Sequence, residues 1–482
     1  MLAVAHILGL MLAFFATTFL LPMTCSLILQ DGMFIDFVIA AAINVVGGLG
    51  LAAATRHYKR ELKPRDGFLL VTLSWTLMSA SATIPLLIAL PGLSFTDAYF
   101  EAVSGLTTTG STVLTGLDQL PPSINFWRHV MHWFGGIGLI VLAVAVLPLL
   151  GVGGMQLYRA EAPGAVKDQK LTPRITETAK ALWFTYAGIT ALAIVVLKLL
   201  GMSWFDAICH GFSVVALGGF STHDRSIGWF DSLGIELALV GFMLVSSLSF
   251  ARHFVAFRRL SLQPYRNDSE AKAIVAILLA SIVLVTWLLF TSRSYPDFST
   301  SLRHATFTVV SIATTSGFVT ANYELWPIFA PFWLLFLSGI VCATGSTGGG
   351  IKMFRTLLLA RQATREMKLL VHPSAIVPIR IGGQVIPDRV AQSVLAFIFL
   401  YFQTIAILTF ALLLTGMDFG PALSSIVACV NNMGPGLGPT GATGTYGVLT
   451  DVQTWICSVA MLLGRLEIFS VLVLFTPVFW RR

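Results

Sequence analysis

Thr107-Thr108-Thr109-Gly110-Ser111-Thr112 is the stretch whose reading decides the fold of this 482-residue chain, because three other loops echo it. They are Leu217-Gly218-Gly219-Phe220, Thr315-Ser316-Gly317-Phe318 and Asn432-Met433-Gly434-Pro435. Their glycines stand 109, 98 and 117 residues apart, the period of an internal fourfold repeat. An alanine precedes each glycine by twelve residues (Ala98, Ala207, Ala305, Ala422). Twelve residues make about 18 Å of helix, too short for a bilayer core of about 30 Å. Each unit therefore holds a half-helix that feeds a loop at membrane depth.

Non-helical backbone at that depth is tolerated only where protein buries it or where it lines a watery cavity, so four such loops predict one shared aqueous path. Glycine allows a left-handed backbone there, which lets successive carbonyl oxygens replace an ion's water shell. Only a cation gains from that. The negative carbonyl ends of the half-helices add to the effect.

Composition agrees with a membrane protein. The chain is 56% hydrophobic and 11% charged, against about 45–50% and 25% for soluble domains. Its apolar runs have helix length rather than the alternating ten-residue pattern of an outer-membrane barrel, which predicts an all-α integral membrane fold. The net charge of +7 comes from clustering: residues 56–66 hold five Lys or Arg, 151–180 five, 252–272 five, 352–389 seven and 481–482 two, or 24 of 30. That alternation is the positive-inside pattern and excludes a nucleic-acid partner. The five cysteines are at least 28 residues apart and form no metal or disulfide motif, so they read as packed apolar residues. The N-terminus lacks a basic n-region, and Thr24 before Cys25 does not fit a lipidation site, so the first apolar run is expected to remain as a transmembrane helix.

In chain order, residues 2–29 and 37–55 read as an N-terminal helix pair (unit 1–66). Four pore repeats follow, at 67–155, 156–265, 266–370 and 371–482, for about ten transmembrane helices in all. The first repeat takes an outward helix at 67–91, a half-helix at 95–106 and an inward helix at 125–150. The second takes 181–200, 205–216 and 232–257; the third 273–292, 301–313 and 329–365; the fourth 390–415, 419–430 and 452–479. Ser94 or Thr96 can cap the first half-helix, with Asp97 and Glu101 near its positive end as capping and interface-solvated acids and Asp206 as the counterpart of Asp97. His129 and His132 are too few for a metal site and read as packed, hydrogen-bonded residues. Leu217 replaces a threonine, which suits coordination by backbone carbonyls rather than hydroxyls.

The third inward helix carries Thr344-Gly345-Ser346-Thr347-Gly348-Gly349-Gly350 in mid-membrane, where three consecutive glycines at about 1 kcal/mol each predict a break. It is not a phosphate loop, since Ile351 separates the glycines from Lys352. Arg465 lies inside an apolar run and must face protein or water; Glu467, two residues on, points to another helix face.

At these loops, at His132-Trp133-Phe134-Gly135-Gly136-Ile137-Gly138, at Thr344 to Lys352 and at Gly464-Arg465, the chain resembles the Trk-type potassium uptake proteins. It resembles their TrkH/TrkG branch, within a superfamily that includes the Ktr and HKT proteins, over nearly all 482 residues. The resemblance implies potassium uptake across the inner membrane of a bacterial cell. It implies a filter in which Thr108, Thr109, Gly110, Leu217, Gly218, Gly219, Thr315, Ser316, Gly317, Asn432, Met433 and Gly434 hold potassium mainly by backbone carbonyls. It makes Thr344 to Gly350 the gate and Arg465 a barrier in the pore below the filter. It further implies a homodimer, a cytosolic TrkA-like ring that binds NAD or ATP/ADP, and no covalent cofactor; the basic face could equally meet anionic lipid.

Only the glycine is common to all four loops, so the expected preference for potassium over sodium is modest. Two function classes compete. An ion-coupled secondary symporter also uses broken helices, but such carriers show two inverted repeats. Four parallel repeats around one axis favour a gated pore. No constellation for an intramembrane enzyme is present.

Overall fold

The computed structural model describes residues 2–58, 63–145 and 175–481. The end of the first inward helix and most of the basic stretch 151–180 lie outside the described residues. An N-terminal pair opens the chain, α1 (Leu2–Leu29) and α2 (Phe34–Ala54). Their contact depends on two glycines: a Cβ on Gly48 would lie 2.6 Å from the Ala13 nitrogen and the Gly9 carbonyl oxygen, so only small residues permit this approach.

The rest of the chain repeats one pattern, a long helix, a half-helix, a loop and an inward helix. The first copy is α3 (Pro64–Ala89), α4 (Phe95–Leu106) and α5 (Pro122–Ala145). The second is α6 (Ile175–Leu199), α7 (Trp204–Ala216), α8 (Leu233–Ser247) and α9 (Phe250–Arg259). The third is α10 (Ser269–Thr291), α11 (Phe298–Ala313), α12 (Phe329–Ile340) and α13 (Met353–Val371). The fourth is α14 (Asp388–Leu414), α15 (Phe419–Asn431), α16 (Asp451–Arg465) and α17 (Ile468–Phe475).

The half-helices α4, α7 and α11 start the same way. The side chains of Ser94, Ser203 and Asp297 accept the backbone N–H of Asp97, Asp206 and Thr300 at 3.1, 3.0 and 2.9 Å. Each such cap stabilises its helix by about 1 kcal/mol. The long helices keep apolar faces outward, with Leu279, Val283 and Trp287 on α10 and Phe399, Phe402 and Phe410 on α14 exposed. In a bilayer those faces meet lipid.

Two inward helices differ from expectation. Residues 232–257 are not one helix: α8 and α9 meet at 100°. Residues 452–479 likewise divide into α16 and α17, bent by 111°. Neither break carries a glycine run. At the first, the carbonyl of Ser247 accepts Ala343 N–H at 2.9 Å and Phe250 N–H donates to Gly345 O at 3.1 Å, so another segment satisfies the freed groups. At the second, Glu467 takes a left-handed φ of 57°.

Six helices are long and apolar enough to cross a membrane, or eight if each bent pair is one span, among the described residues. α5, whose far end borders the residues outside the description, and the broken α12–α13 pair do not enter that count. A hairpin, Arg380–Ile381 paired with Gln384–Val385, adds a short element that the all-α reading did not foresee. Gly382 and Gly383 turn it with φ of 57° and 80°.

Candidate functional site

The four half-helices end alike. The N–H groups of Thr109, Gly218, Ser316 and Met433 return to the carbonyls of Ser104, Ser213, Ser311 and Ala428, each at 2.9 Å. The residue before each donor, Thr108, Leu217, Thr315 or Asn432, is left-handed, with φ of 53°, 55°, 61° and 51°. Such a backbone costs a non-glycine residue about 1–2 kcal/mol. Gly110, Gly219, Gly317 and Gly434 follow with φ of 84°, 81°, 79° and 97°. Four different sequences thus share one backbone course.

These loops close into a ring. A Cβ on Gly110 would overlap the Gly218 carbonyl oxygen, one on Gly219 the Ser316 oxygen, and one on Gly317 the Met433 oxygen. One on Gly434 would lie 3.0 Å from the Thr109 oxygen. Each glycine therefore abuts the next loop in chain order, and the fourth returns to the first.

Side chains tie the loops to each other. The Asn432 amide donates to Thr109 Oγ1 at 2.9 Å, and Ser111 Oγ donates to the Gly434 carbonyl at 2.8 Å. Leu217 is buried and has only backbone polar groups to offer. On one side of the ring opens a cavity of about 250 Å³, lined by all four glycines together with Ser221, His223 and Asp224.

Glu101 corrects the expectation of a solvated acid. It is fully buried and pairs with Arg128 at 2.7 Å. Its carboxylate also accepts Val113 N–H at 3.1 Å, while Arg128 reaches Ser221 O at 3.3 Å and lies 4.2 Å from the Phe220 ring centre. The pair thereby braces the chain leaving the first two loops. Asp97 does cap α4 through Ser94, as expected. Arg128 was not singled out in the sequence, although a lone arginine inside an apolar helix is the signal that could have found it.

His129 and His132 share Ser213 Oγ at 2.7 and 3.1 Å, and the His132 ring is so close to Gly218 that a Cβ there would overlap it. Among the described residues no group of three His, Cys, Asp or Glu could hold a metal ion. At the outer cavity, burial pulls the His223 imidazole down, but Asp206 and Asp118 outweigh that and hold its pKa above the ordinary value. Asp118, in spite of its own partial burial, is held below the usual carboxylate range by His223.

The glycine-rich segment between α12 and α13 passes across the ring on the side opposite that cavity. Its seven predicted residues divide in two. Thr344, Gly345 and Ser346 lie against α8, α9 and α10, where Thr344 N–H donates to Glu270 Oε2 at 2.9 Å. Thr347, Gly348, Gly349 and Gly350 lie under the loops. Thr347 Oγ1 donates to Val215 O at 3.0 Å, Gly349 N–H donates to Thr315 Oγ1 at 3.0 Å, and a Cβ on Gly349 would overlap the Asn431 oxygen. Lys352 Nζ donates to Gly348 O within the same strap.

Arg465 is buried at the ring's inner side. It donates to Thr347 O and to Gly135 O, both at 2.9 Å. Its neighbour in sequence, Glu467, lies in the bend beyond the end of α16 rather than on another face of it, and pairs with Arg355 at 3.1 Å.

The sequence model of one family, described as TrkH, cation transport protein, matches residues 34–481. The Trk system potassium uptake protein TrkH of Halomonas elongata is 47% identical over 480 residues, 99% of each chain. TrkH of Escherichia coli K12 is 44% identical over 480 residues, again 99% of each, and its TrkG is 40% identical over 482, 99% of this chain and 98% of TrkG. A crystal structure of the potassium transporter TrkH from Vibrio parahaemolyticus superposes with a TM-score of 0.91 at 44% identity, covering 100% of this chain and 99% of that one.

Proposed function

We propose that this chain, which belongs to the TrkH family of cation transport proteins, takes up potassium through the ring of four loops. It is a multi-pass membrane transporter and not an enzyme. The observation that carries the reading is the closed contact of Gly110, Gly219, Gly317 and Gly434 with successive carbonyls, which gathers backbone oxygens of all four loops in one ring. A dehydrated potassium ion recovers from those oxygens the energy its water shell supplied. Side chains play a lesser part, since Leu217 stands where threonine stands in two other loops.

The filter residues are Thr108 to Gly110, Leu217 to Gly219, Thr315 to Gly317 and Asn432 to Gly434. The strap from Thr344 to Gly350 is the gate, because its second half crosses the inner side of the ring and Arg465 clamps it there. Exposed Arg258, Arg259, Arg266, Arg361 and Lys368 form the basic face on which a nucleotide-binding TrkA-like ring docks. The positive-inside rule puts that face in the cytosol of a bacterial inner membrane, and the chain acts as a homodimer.

Purified protein in liposomes tests the core of this reading. With potassium and sodium gradients imposed separately, a conducting pore gives passive flux and a reversal potential set by potassium. Flux that stops unless a second ion gradient is present would replace the pore by a coupled carrier.

A further inference from the structure

We infer that Glu270 is a positioning residue that holds the first half of the strap closed and links it to the basic helix α9. The inference rests on the strap being the gate. Three bonds fix that half. Ala343 N–H donates to Ser247 O at 2.9 Å, Phe250 N–H donates to Gly345 O at 3.1 Å, and Thr344 N–H donates to Glu270 Oε2 at 2.9 Å. Two of them are backbone to backbone, and among the described residues Glu270 supplies the side-chain anchor to another element.

Its setting is built for this. Glu270 is buried, 3% exposed, in the first turn of α10. Its own N–H is accepted by Asp268 Oδ1 at 2.9 Å, and the other oxygen of Asp268 forms an ion pair with Arg252 of α9 at 2.6 Å. Arg252 is on the same helix as exposed Arg258 and Arg259. A force on α9 is therefore transmitted through Arg252 and Asp268 to the start of α10, and from Glu270 to Thr344. At the same time α9 pulls on Gly345 through Phe250. Burial of Glu270 shields the bond from water, which suits a latch that must hold until pulled.

The test uses the full chain in liposomes without any partner protein. Glu270→Met fills the site but offers no acceptor for Thr344, so potassium flux per folded protein should rise by about tenfold, the ratio that loss of one such bond produces. Glu270→Gln keeps an acceptor and should stay near wild type, and the potassium preference should not change in either. Equal flux in the Met and Gln variants would overturn the inference. Should the Met variant not fold, amide exchange at Thr344 in the wild-type protein decides: slow exchange like that of Ala343 supports the anchor, and fast exchange overturns it. Deleting Thr344 to Gly349 serves as the control. If the deletion fails to raise flux, the gate itself is wrong; if it raises flux while Glu270→Met does not, only the role of Glu270 falls.

Discussion

Gly110 faces the carbonyl oxygen of Gly218 so closely that no side chain fits between them, and the same holds for Gly219 against Ser316 and Gly317 against Met433. Gly434 is looser, with 3.0 Å to the Thr109 oxygen for a built Cβ. Space therefore ranks four substitutions that sequence alone treats as equivalent. Alanine at Gly110, Gly219 or Gly317 must displace a carbonyl of the next loop, at a packing cost of about 1–3 kcal/mol. The potassium-to-sodium permeability ratio should fall by roughly fivefold or more in these three and least in Gly434→Ala. Bi-ionic reversal potentials measure it, and unchanged selectivity in all three tight variants would remove the filter from these loops.

The strap makes a separate prediction, because its contacts with Val215, Thr315 and Arg465 lie on the inner side of the ring. Removing Thr344 to Gly349 should raise partner-free flux and leave the potassium preference near wild type. Size-exclusion profiles establish that the deletion folds. A monodisperse deletion protein with reduced flux would show that the strap supports the path rather than blocks it.

The sequence displayed some of this and hid the rest for physical reasons. Most half-helix lengths were readable because Ser94, Ser203 and the four glycines mark ends by local chemistry, but the third, expected at 301–313, starts earlier, at Phe298, where Asp297 caps it. The break at Gly348 to Gly350 was readable because glycine runs do not hold a helix. The bends at Ser249 and Glu467 were not, since distant partners stabilise them: Ala343 and Gly345 in the first case and Arg355 in the second. Glu101 misled because its partner Arg128 stands 27 residues away on another helix. Local spacing favoured a solvated acid, and tertiary pairing decided otherwise.

His223 makes stability at the cavity beside the ring depend on pH. Asp206 and Asp118 raise its folded pKa despite burial, so its protonated form is favoured in the native state. That contribution is fully present below the unfolded value of about 6.5 and is lost as pH rises through the folded pKa. It also needs charged carboxylates, so it declines again as Asp118 protonates at acid pH. His223→Gln should therefore lower the melting temperature at about pH 5.5 and make little difference at about pH 9. A constant difference across that range would mean that the ring acts by packing against Trp229, on which it stacks at 3.8 Å, and not by charge.

On the proposed reading Arg465 opposes flow in two ways, by clamping the strap and by its charge. Its guanidinium donates at 2.9 Å to Thr347 O on the strap and at 2.9 Å to Gly135 O on α5, so it fastens the strap to that helix. If the proposed path is right, it also places a positive charge beside the passing ion. At an effective dielectric of about 20, two unit charges about 8 Å apart repel by roughly 2 kcal/mol. That is enough for about a thirtyfold change in flux if it falls on the limiting barrier. Arg465→Ala removes both effects and should raise potassium flux toward that limit. Arg465→Lys keeps the charge but cannot span both carbonyls with one planar fork, so its flux should lie between. A bracing role predicts the reverse order, because loss of the bonds to Thr347 and Gly135 would loosen the fold and lower conduction. Flux per folded protein in liposomes separates the two, and an Arg465→Ala protein that conducts no better than wild type would exclude Arg465 as the barrier.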